Sequence, residues 1–249
     1  MEQGYLYAGQ ERRVAVILAG GSGTRAGGDD RKETGKGPKQ FMEIAGRTVI
    51  ERAVDAFEAH EAVDEIVIVA REAEVEKVRE MVERNGWRKV ARVAPGGKER
   101  RDSCLAAVRL YDDPGTWLLV HDAARPLVSR RVIDAVVEGT RSHEAVVVGV
   151  PVADTVWRVS DGQVEEVPER SSLVLAQTPQ AFRVATLREA YGRALEDPSF
   201  RATDDCGVVR RYLPETRIHV VAGEASNMKL THPWDAFLLE RFLTSTPCI

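Results

Sequence analysis

The stretch that decides the fold is Val14-Ala15-Val16-Ile17-Leu18-Ala19-Gly20-Gly21-Ser22-Gly23-Thr24-Arg25, an apolar run that leads into glycines and ends at an arginine. An uninterrupted apolar run with several β-branched residues predicts a buried strand. Glycines at its end let the backbone approach a ligand closely, so that peptide N–H groups can face phosphate oxygens. Pro38-Lys39-Gln40 follows further along the chain, and Arg25 and Lys39 would then bring two positive charges to one place. The pattern therefore predicts a site that handles a polyphosphate.

This glycine loop differs from the two common phosphate-binding motifs. A P-loop needs a lysine directly after its last glycine, and the segment from Gly20 to Arg25 has none. A dinucleotide fingerprint needs a third glycine where Ala26 stands. A plain strand-to-helix turn would explain the glycines, but it would not require the arginine or the Pro-Lys-Gln segment. We therefore favour a phosphate site of another type.

Composition places the chain in an ordinary class. It has 249 residues, 43% of them hydrophobic, and a net charge of −4, which gives no electrostatic reason to expect nucleic acid or an anionic membrane as partner. No apolar run approaches the roughly 18–20 residues of a membrane span, and the polar start lacks a signal-peptide pattern. Cys104, Cys206 and Cys248 have no metal-ligand spacing and fit a reducing compartment. We expect a single cytoplasmic domain over residues 1–249.

Strand and helix patterns alternate along the chain. Helical periodicity is clearest around Val75, Val78 and Val82 and again over residues 132–137. Strands separated by helices predict right-handed βαβ units, and hence an α/β fold with a single doubly wound, mostly parallel sheet. Binding sites in such sheets lie beyond the carboxyl ends of the strands. The six predicted strands are Val14–Ala19, Glu65–Ala70, Val90–Ala94, Thr116–His121, Ala145–Val150 and Thr216–Val221.

One region, residues 151–176, interrupts this alternation. Alternating segments flank Ser160-Asp161-Gly162, and Asp-Gly in that position is a strong hairpin signal. An isolated hairpin is marginally stable in water. We therefore predict a protruding β-arm that packs either on the body of the domain or on another subunit.

The fourth predicted strand ends in a second informative motif, Val120-His121-Asp122-Ala123-Ala124-Arg125-Pro126. An aspartate at a carboxyl strand end near a phosphate loop is a natural Mg²⁺ ligand, because Mg²⁺ prefers one or two carboxylates plus phosphate oxygens. A helix N-cap or turn would also explain Asp122. Arg125 can grip a phosphate with two N–H groups and favours the functional interpretation. His121 has no histidine partner in a metal or triad arrangement and is interpreted as structural.

Further polar segments lie where strand and helix patterns meet. Each of them alone is also explained as a helix cap or a surface turn. We expect all of them at strand-to-helix junctions on one edge of the sheet. They are Pro95–Ser103 with Gly97 and Ser103, Gln177–Gln180 with Thr178, Thr203–Asp205, and Asn227–Lys229.

Together these residues resemble the family of cytidylyltransferases that act on 2-C-methyl-D-erythritol 4-phosphate in the non-mevalonate isoprenoid pathway. The glycine loop is common to many nucleotidyltransferases, whereas His-Asp-Ala-Ala-Arg-Pro with a downstream Thr-Pro-Gln is far more specific. The resemblance implies a Rossmann-like nucleotidyltransferase fold. The matching pieces, in family order, are Leu18–Arg25, Pro38–Gln40, Gly96–Arg100 with Ser103, His121–Pro126, Asp154–Thr155, Arg170, Thr178–Gln180, Thr203–Asp204 and Asn227–Lys229.

The resemblance implies an in-line attack by the phosphate of methylerythritol phosphate on the α-phosphorus of CTP, giving CDP-methylerythritol and pyrophosphate. Such transfers depend mainly on positioning and on stabilising charge. A phosphate monoester is already anionic near pH 7, so no general base is required. Arg25 and Lys39 would stabilise the charge on the α-phosphate, and Arg170 and Lys229 complete the implied catalytic set.

Binding roles follow from the same resemblance. Asp122 would hold Mg²⁺ on the triphosphate of CTP. The residues implied around cytosine and ribose are Ala19, Gly20, Gly21, Gly97, Ser103 and Ala123. Those implied around methylerythritol phosphate are Arg125, Thr155, Arg170, Thr178, Thr203 and Lys229. Thr155 and Arg170 belong to the hairpin, which in the family is an arm exchanged between subunits, so we expect a homodimer.

Two alternatives remain open from the sequence. The first is the sister cytidylyltransferase for ribitol 5-phosphate, whose aspartate motif we expect to lack the pair Ala123-Ala124. The second is a non-catalytic nucleotide-binding protein of the same fold, which would bind CTP without releasing pyrophosphate. Retention of both Arg25 and Lys39 favours an enzyme over such a sensor.

Overall fold

The computed structural model describes residues 11–21, 38–97, 99–197, 199 and 202–244. Within these ranges the chain forms a seven-stranded sheet, two small two-stranded sheets and seven α-helices. The strands are β1 (Arg13–Ala19), β2 (Glu43–Ile44), β3 (Arg47–Thr48), β4 (Glu65–Ala70), β5 (Val90–Pro95), β6 (Trp117–Asp122), β7 (Ala145–Pro151), β8 (Arg158–Ser160), β9 (Gln163–Glu166), β10 (Val174–Arg183) and β11 (Ile218–Ala222). The helices are α1 (Val49–Glu58), α2 (Val75–Asn85), α3 (Arg100–Val108), α4 (Arg130–Gly139), α5 (Val184–Leu195), α6 (Asp205–Tyr212) and α7 (Pro233–Thr244).

The main sheet has the order β11-β7-β10-β6-β1-β4-β5. All neighbouring strands run parallel except β10, which is antiparallel to both β6 and β7. The predicted α/β fold with a doubly wound, mostly parallel sheet is therefore confirmed. All six predicted strands are present, with ends that differ from the prediction by at most two residues.

Strand β10 corrects one expectation. We expected Gln177–Gln180 at a strand-to-helix junction, but this segment lies inside β10, in the middle of the sheet. The register of β10 against β7 shifts between Gln177 and Ala181, which is an irregularity of the kind that lets a strand carry a proline such as Pro179.

Alternation along the strands divides the core between the two faces of the sheet. In β1, Ala15 and Ile17 belong to one cluster, with residues of α1, α2 and α4, whereas Val14 and Val16 belong to a second cluster, with residues of α3, α5 and α6. All four side chains are fully buried. A strand buried on both faces has no polar positions, which is why β1 reads as a continuous apolar run.

A third, small cluster fixes the C-terminal helix. Leu239 of α7 is buried with Ile44, Val49 and Leu230. Leu230 also donates its backbone N–H to the carbonyl of Ala124 at 2.8 Å. The segment between β11 and α7 is thereby held against the end of β6. No helix in the described ranges combines the length and the apolar character needed to cross a membrane.

Candidate active site

The carboxyl ends of four strands meet at one edge of the sheet. Ala19 of β1 pairs with Ala70 of β4, which pairs with Pro95 of β5. On the other side of β1, Leu18 pairs with Asp122. The loops that leave these strands therefore begin side by side, as expected from a parallel register.

Ser103 joins the two glycine-containing loops of this edge. Its side chain is buried on α3, and its hydroxyl oxygen lies 3.0 Å from the position that a Cβ on Gly20 would occupy and 2.5 Å from that on Gly96. A Cβ on Gly97 would lie 2.2 Å from Cβ of Asp102. The backbone comes so close here that only glycine fits at Gly96 and Gly97. Gly20, Gly97 and Ser103, three of the residues expected around a nucleotide, are thus brought together.

The other residues expected around the nucleotide lie at the same edge. Ala19 and Ala123 are almost fully buried at the ends of β1 and β6. The backbone N–H of Ala123 donates to the carbonyl of Leu18 at 3.1 Å, which ties the two strand ends together. Gly21 is exposed, and a Cβ there would have no heavy atom of the described residues within 4 Å.

Asp122 lies at the centre of a cluster of cations. Its Oδ2 is 2.7 Å from Nζ of Lys229 and 3.9 Å from Nε of Arg125, and its Oδ1 is 3.6 Å from Nε of Arg100. The carboxylate is 14% exposed. Burial by itself would raise the pKa of Asp122, but Arg100, Lys229 and Arg125 outweigh it and hold that pKa well below its ordinary value. Asp122 is therefore an ionised carboxylate at physiological pH.

A chain of hydrogen bonds fixes the backbone around Asp122. The N–H of Asp122 donates to Oγ1 of Thr178 at 3.1 Å, and this hydroxyl is 2.9 Å from Nδ1 of His121. Nε2 of His121 is 3.0 Å from the carbonyl oxygen of Arg125 and must donate to it, so Nδ1 accepts from Thr178. Burial lowers the pKa of His121 to about 4, in agreement with this neutral ring. His121 is structural, as predicted, and the hydroxyl of Thr178 is engaged within the protein.

Arg125 is held almost entirely by backbone oxygens. Its Nη1 donates to the carbonyl of Asn227 at 2.8 Å and its Nη2 to the carbonyl of Ala176 at 3.1 Å. Burial lowers its pKa, and the charge of Asp122 opposes that effect. The side chain links β10, the segment after β11 and the end of β6, which is a positioning arrangement rather than an open phosphate clamp.

Lys39 reaches the same segment as Lys229. Its Nζ donates to the carbonyl oxygen of Thr231, two residues beyond Lys229. The adjacent Gln40 is buried and donates from Nε2 to the carbonyl of Ala19 at 2.8 Å, at the end of β1. The Pro-Lys-Gln segment is thus fastened to the strand end on one side and to the segment after β11 on the other, as a shared site requires.

Three expected substrate residues lie apart from this cluster. Thr155 and Arg170 are exposed on the arm, where Nη1 of Arg170 donates to the carbonyl of Ala153 at 3.0 Å. Thr203 is exposed just before α6, and the adjacent Asp204 caps that helix. The structure brings Lys39, Lys229, Asp122, Arg125 and Thr178 together but does not bring Thr155 or Arg170 to them within one chain. Arg25 lies outside the described residues.

Three buried polar residues of this region were missed by sequence reasoning as site residues. Gln40 is described above, and Asn227 donates from Nδ2 to the carbonyl of Thr178 at 2.9 Å. Arg100 pairs with Asp122 and, through Nη2, with the fully buried Asp205 at 2.6 Å. Each of them belongs to one of the motifs described above, and that position is the signal in the sequence that could have found it.

The donor set at Asp122 fits a magnesium ion that is held through one carboxylate and substrate phosphates. Within the described ranges, no three His, Cys, Asp or Glu side chains are grouped so as to hold a metal by themselves. Mg²⁺ commonly takes only one or two carboxylates and obtains its other ligands from phosphate and water. Asp122 is ionised, which such a ligand must be, but an ion on Oδ2 would compete with Lys229.

A mostly parallel α/β sheet with a glycine turn, a strand-end aspartate and converging cations is typical of a nucleotidyltransferase. The family model for 2-C-methyl-D-erythritol 4-phosphate cytidylyltransferase (IspD) matches residues 13–245, and the chain belongs to this family. A cytidylyltransferase of that name from Thermobifida fusca is 45% identical over 239 residues, covering 93% of each chain. The crystal structure of 4-diphosphocytidyl-2C-methyl-D-erythritol synthase from Anaerococcus prevotii has a TM-score of 0.81 at 26% identity, covering 94% of this chain and 99% of that one.

A relative with a different printed activity also matches. The bifunctional ribulose 5-phosphate reductase/CDP-ribitol pyrophosphorylase Bcs1 from Haemophilus influenzae is 37% identical over 240 residues. The match covers 95% of this chain and 49% of that protein. The ribitol alternative is therefore represented among the relatives, at lower identity.

Proposed function

We propose that the protein transfers the cytidylyl group of CTP to 2-C-methyl-D-erythritol 4-phosphate, with release of pyrophosphate. A phosphate oxygen of the acceptor forms a bond to the α-phosphorus, and the bond from that phosphorus to the bridging oxygen of pyrophosphate breaks. The ionised pair of Asp122 and Lys229, at 2.7 Å beside the glycine turn, is the observation that carries this proposal. It gives the polyphosphate an ordered, charged site at the end of β6.

The nucleotide would lie over the glycine turn. Gly20, Gly97 and Ser103 form a close-packed surface there, and their backbone N–H groups are suited to polar contacts with base, ribose and phosphate. Gly21, Ala19 and Ala123 would complete this surface. Lys39 would turn from Thr231 to the α-phosphate, where Arg25 supplies the second cation. One preorganised donor of this kind commonly contributes about 3–4 kcal/mol to a transition state.

Asp122 would hold Mg²⁺ together with oxygens of the CTP triphosphate. The ion would supply neutralisation of the triphosphate charge when bound. Lys229 would move from Asp122 to the phosphate of the acceptor. Arg125 and Thr178 contribute by holding the backbone and the Asp122 carboxylate in place, since their polar groups are engaged within the protein.

A substrate screen tests this proposal. Pyrophosphate release would be measured with CTP, UTP, ATP and GTP against methylerythritol phosphate and ribitol 5-phosphate. We expect CTP with methylerythritol phosphate to give the highest kcat/KM. A preference for ribitol 5-phosphate would show that the acceptor is ribitol 5-phosphate instead. CTP binding without pyrophosphate release in the presence of either acceptor would indicate a non-catalytic nucleotide-binding protein. Lys39→Ala is the inactive reference. Lys89→Ala is the matched control, because the Lys89 ammonium also donates to a backbone carbonyl, that of His60, but lies next to the start of β5, away from the carboxyl ends of the strands.

We further propose a homodimer in which each arm reaches the partner's site. The arm, residues 151–176, carries β8 and β9 as a separate two-stranded sheet whose residues are all exposed. An exposed apolar surface of this extent is typical of an interface. Its exposed apolar side chains are Val156, Trp157, Val159, Val164, Val167, Val174 and Leu175.

We also propose a cytoplasmic location. The free Cys104 and Cys206 fit a reducing compartment such as the cytoplasm.

Subunit mixing tests this arrangement. Arg170→Ala and Lys229→Ala each remove one phosphate contact from both pockets of a homodimer. If Arg170 acts in trans, a mixed dimer has one pocket that lacks both contacts and one intact pocket. Random mixing by co-expression or refolding should then restore roughly one quarter of wild-type activity, because half of the dimers are mixed and half of their sites are whole. Mixed dimers that stay inactive would place Arg170 in its own subunit's pocket.

A further inference from the structure

Arg100, the first residue of α3, joins two acidic groups from different parts of the fold. Its Nε lies 3.6 Å from Oδ1 of Asp122 at the end of β6, and its Nη2 lies 2.6 Å from Oδ2 of Asp205 at the start of α6. The Arg100 side chain is 10% exposed. A guanidinium can do this because its N–H groups lie in one rigid plane and point outward in fixed directions, so two of its nitrogens can face different carboxylates.

Asp205 anchors this arginine in the interior. It is fully buried, and its Oδ1 accepts a hydrogen bond from the hydroxyl of Tyr191 at 2.6 Å. Tyr191 is itself buried on α5. One oxygen of Asp205 thus accepts a hydrogen bond and the other faces the Arg100 guanidinium as an ion pair, so Asp205 holds Arg100 on the side away from Asp122.

Arg100 also stands next to the nucleotide side of the site. It follows Gly96 and Gly97 in sequence, and Ser103 on the same helix contacts the glycine turn. If the start of α3 shifted, Ser103 and the Arg100 side chain, which faces Asp122, would therefore move together.

We infer that Arg100 is a positioning residue for the transfer, which orients the Asp122 carboxylate for the nucleotide phosphates and is itself anchored by Asp205. The inference rests on the proposed role of Asp122. A purely structural alternative is that Arg100 only neutralises the buried charge of Asp205.

Paired substitutions separate the two roles. Arg100→Met alone leaves Asp205 buried and unpaired, so it should lower the melting temperature. The double variant R100M/D205N removes both charges and should regain most of that temperature. We expect its Kd for CTP with Mg²⁺, measured by calorimetry, to rise about tenfold, and its KM for CTP to rise with it. Arg101→Met is the matched control, because the ion pairs of Arg101 stay within the first turn of α3.

Wild-type Kd and KM in a double variant with a wild-type melt would show that Arg100 only neutralises Asp205 and would overturn the inference. Asp122→Asn distinguishes this failure from that of the proposed function: wild-type CTP binding in that variant would mean that the role of Asp122 itself is wrong. If the double variant does not melt cooperatively, Arg100→Lys is measured instead. It keeps a cation for Asp205 but has one charged nitrogen for two carboxylates, so the same loss of affinity is expected, and wild-type affinity would contradict the inference.

Discussion

Replacing Thr178 with valine is the sharpest test of how the site is held together. The two side chains have nearly the same shape, and Thr178 is 4% exposed, so the change removes a hydroxyl without opening a cavity. It deletes the acceptor of the Asp122 N–H at 3.1 Å and the donor to Nδ1 of His121 at 2.9 Å. Each of the two buried polar groups left without a partner costs about 1–3 kcal/mol, so we expect a loss of about 2–6 kcal/mol in the free energy of unfolding.

The measurement is urea unfolding together with steady-state pyrophosphate release. We expect kcat/KM to fall as well, since the backbone at Asp122 loses its anchor. Thr140→Val is the control: Thr140 is equally buried, makes one bond to the carbonyl of Val137 at 2.7 Å, and lies at the end of α4, so about 1 kcal/mol is expected to be lost with activity unchanged. A loss below about 1 kcal/mol in Thr178→Val, with wild-type activity, would refute the proposed network.

Three further predictions concern charge, pH and backbone space. Lys39→Ala and Lys229→Ala should each lower kcat by about 10²–10³-fold with a wild-type melt, and unchanged turnover would remove that lysine from the mechanism. Burial lowers the pKa of His121 to about 4, so between pH 6.5 and 4 the unfolded chain binds a proton on this residue that the folded chain does not. The contribution of His121 to the free energy of unfolding should therefore be constant above pH 6.5 and should fall by about 2–3 kcal/mol as the pH drops toward 4. Urea unfolding at pH 7 and 5 checks this, and His121→Gln should flatten the pH dependence. Gly97→Ala should weaken CTP binding, because its Cβ would lie 2.2 Å from Cβ of Asp102, and calorimetry with wild-type affinity would contradict it.

The strands that could be predicted from sequence are those in which a short run of residues already shows the apolar pattern of a buried strand. After their first residues, Arg13 and Glu65, β1 and β4 are buried on both faces and apolar at every position, and their bounds follow almost to the residue. β10 was missed because it carries Gln177, Thr178, Pro179 and Gln180 in the middle of the sheet. Polar residues and a proline indicate a loop, and it is hydrogen-bond partners from distant parts of the chain, among them Asp122, Asn227 and Asp204, that make them compatible with a buried strand.

The residues of the candidate site likewise fall into those that the sequence could place and those that it could not. Gly20, Asp122 and Lys229 could be placed at one edge because parallel strands end together, and the structure brings Lys229 to within 2.7 Å of Asp122. The role of Arg100 could not be read from sequence, since an arginine at a helix start is ordinarily an exposed residue. Its burial depends on Asp205, a residue more than a hundred positions away, and local pattern carries no information on such a pairing.

The four cations in the described part of the site form two pairs that differ in solvent exposure and therefore in how easily they can move. The side chains of Arg100 and Arg125 are 10% and 11% exposed. If either arginine moved away, its buried oxygen partners would be left without a cation or hydrogen-bond donor, which is costly. Lys229 is 35% exposed, and Lys39 is partly exposed with its ammonium on a backbone carbonyl, so water can replace either cation at little cost. The two lysines can therefore turn to an incoming phosphate while the two arginines keep Asp122 and the surrounding backbone fixed. In the proposed mechanism, charge for the transferred group and rigidity for its ligands would thus come from different side chains.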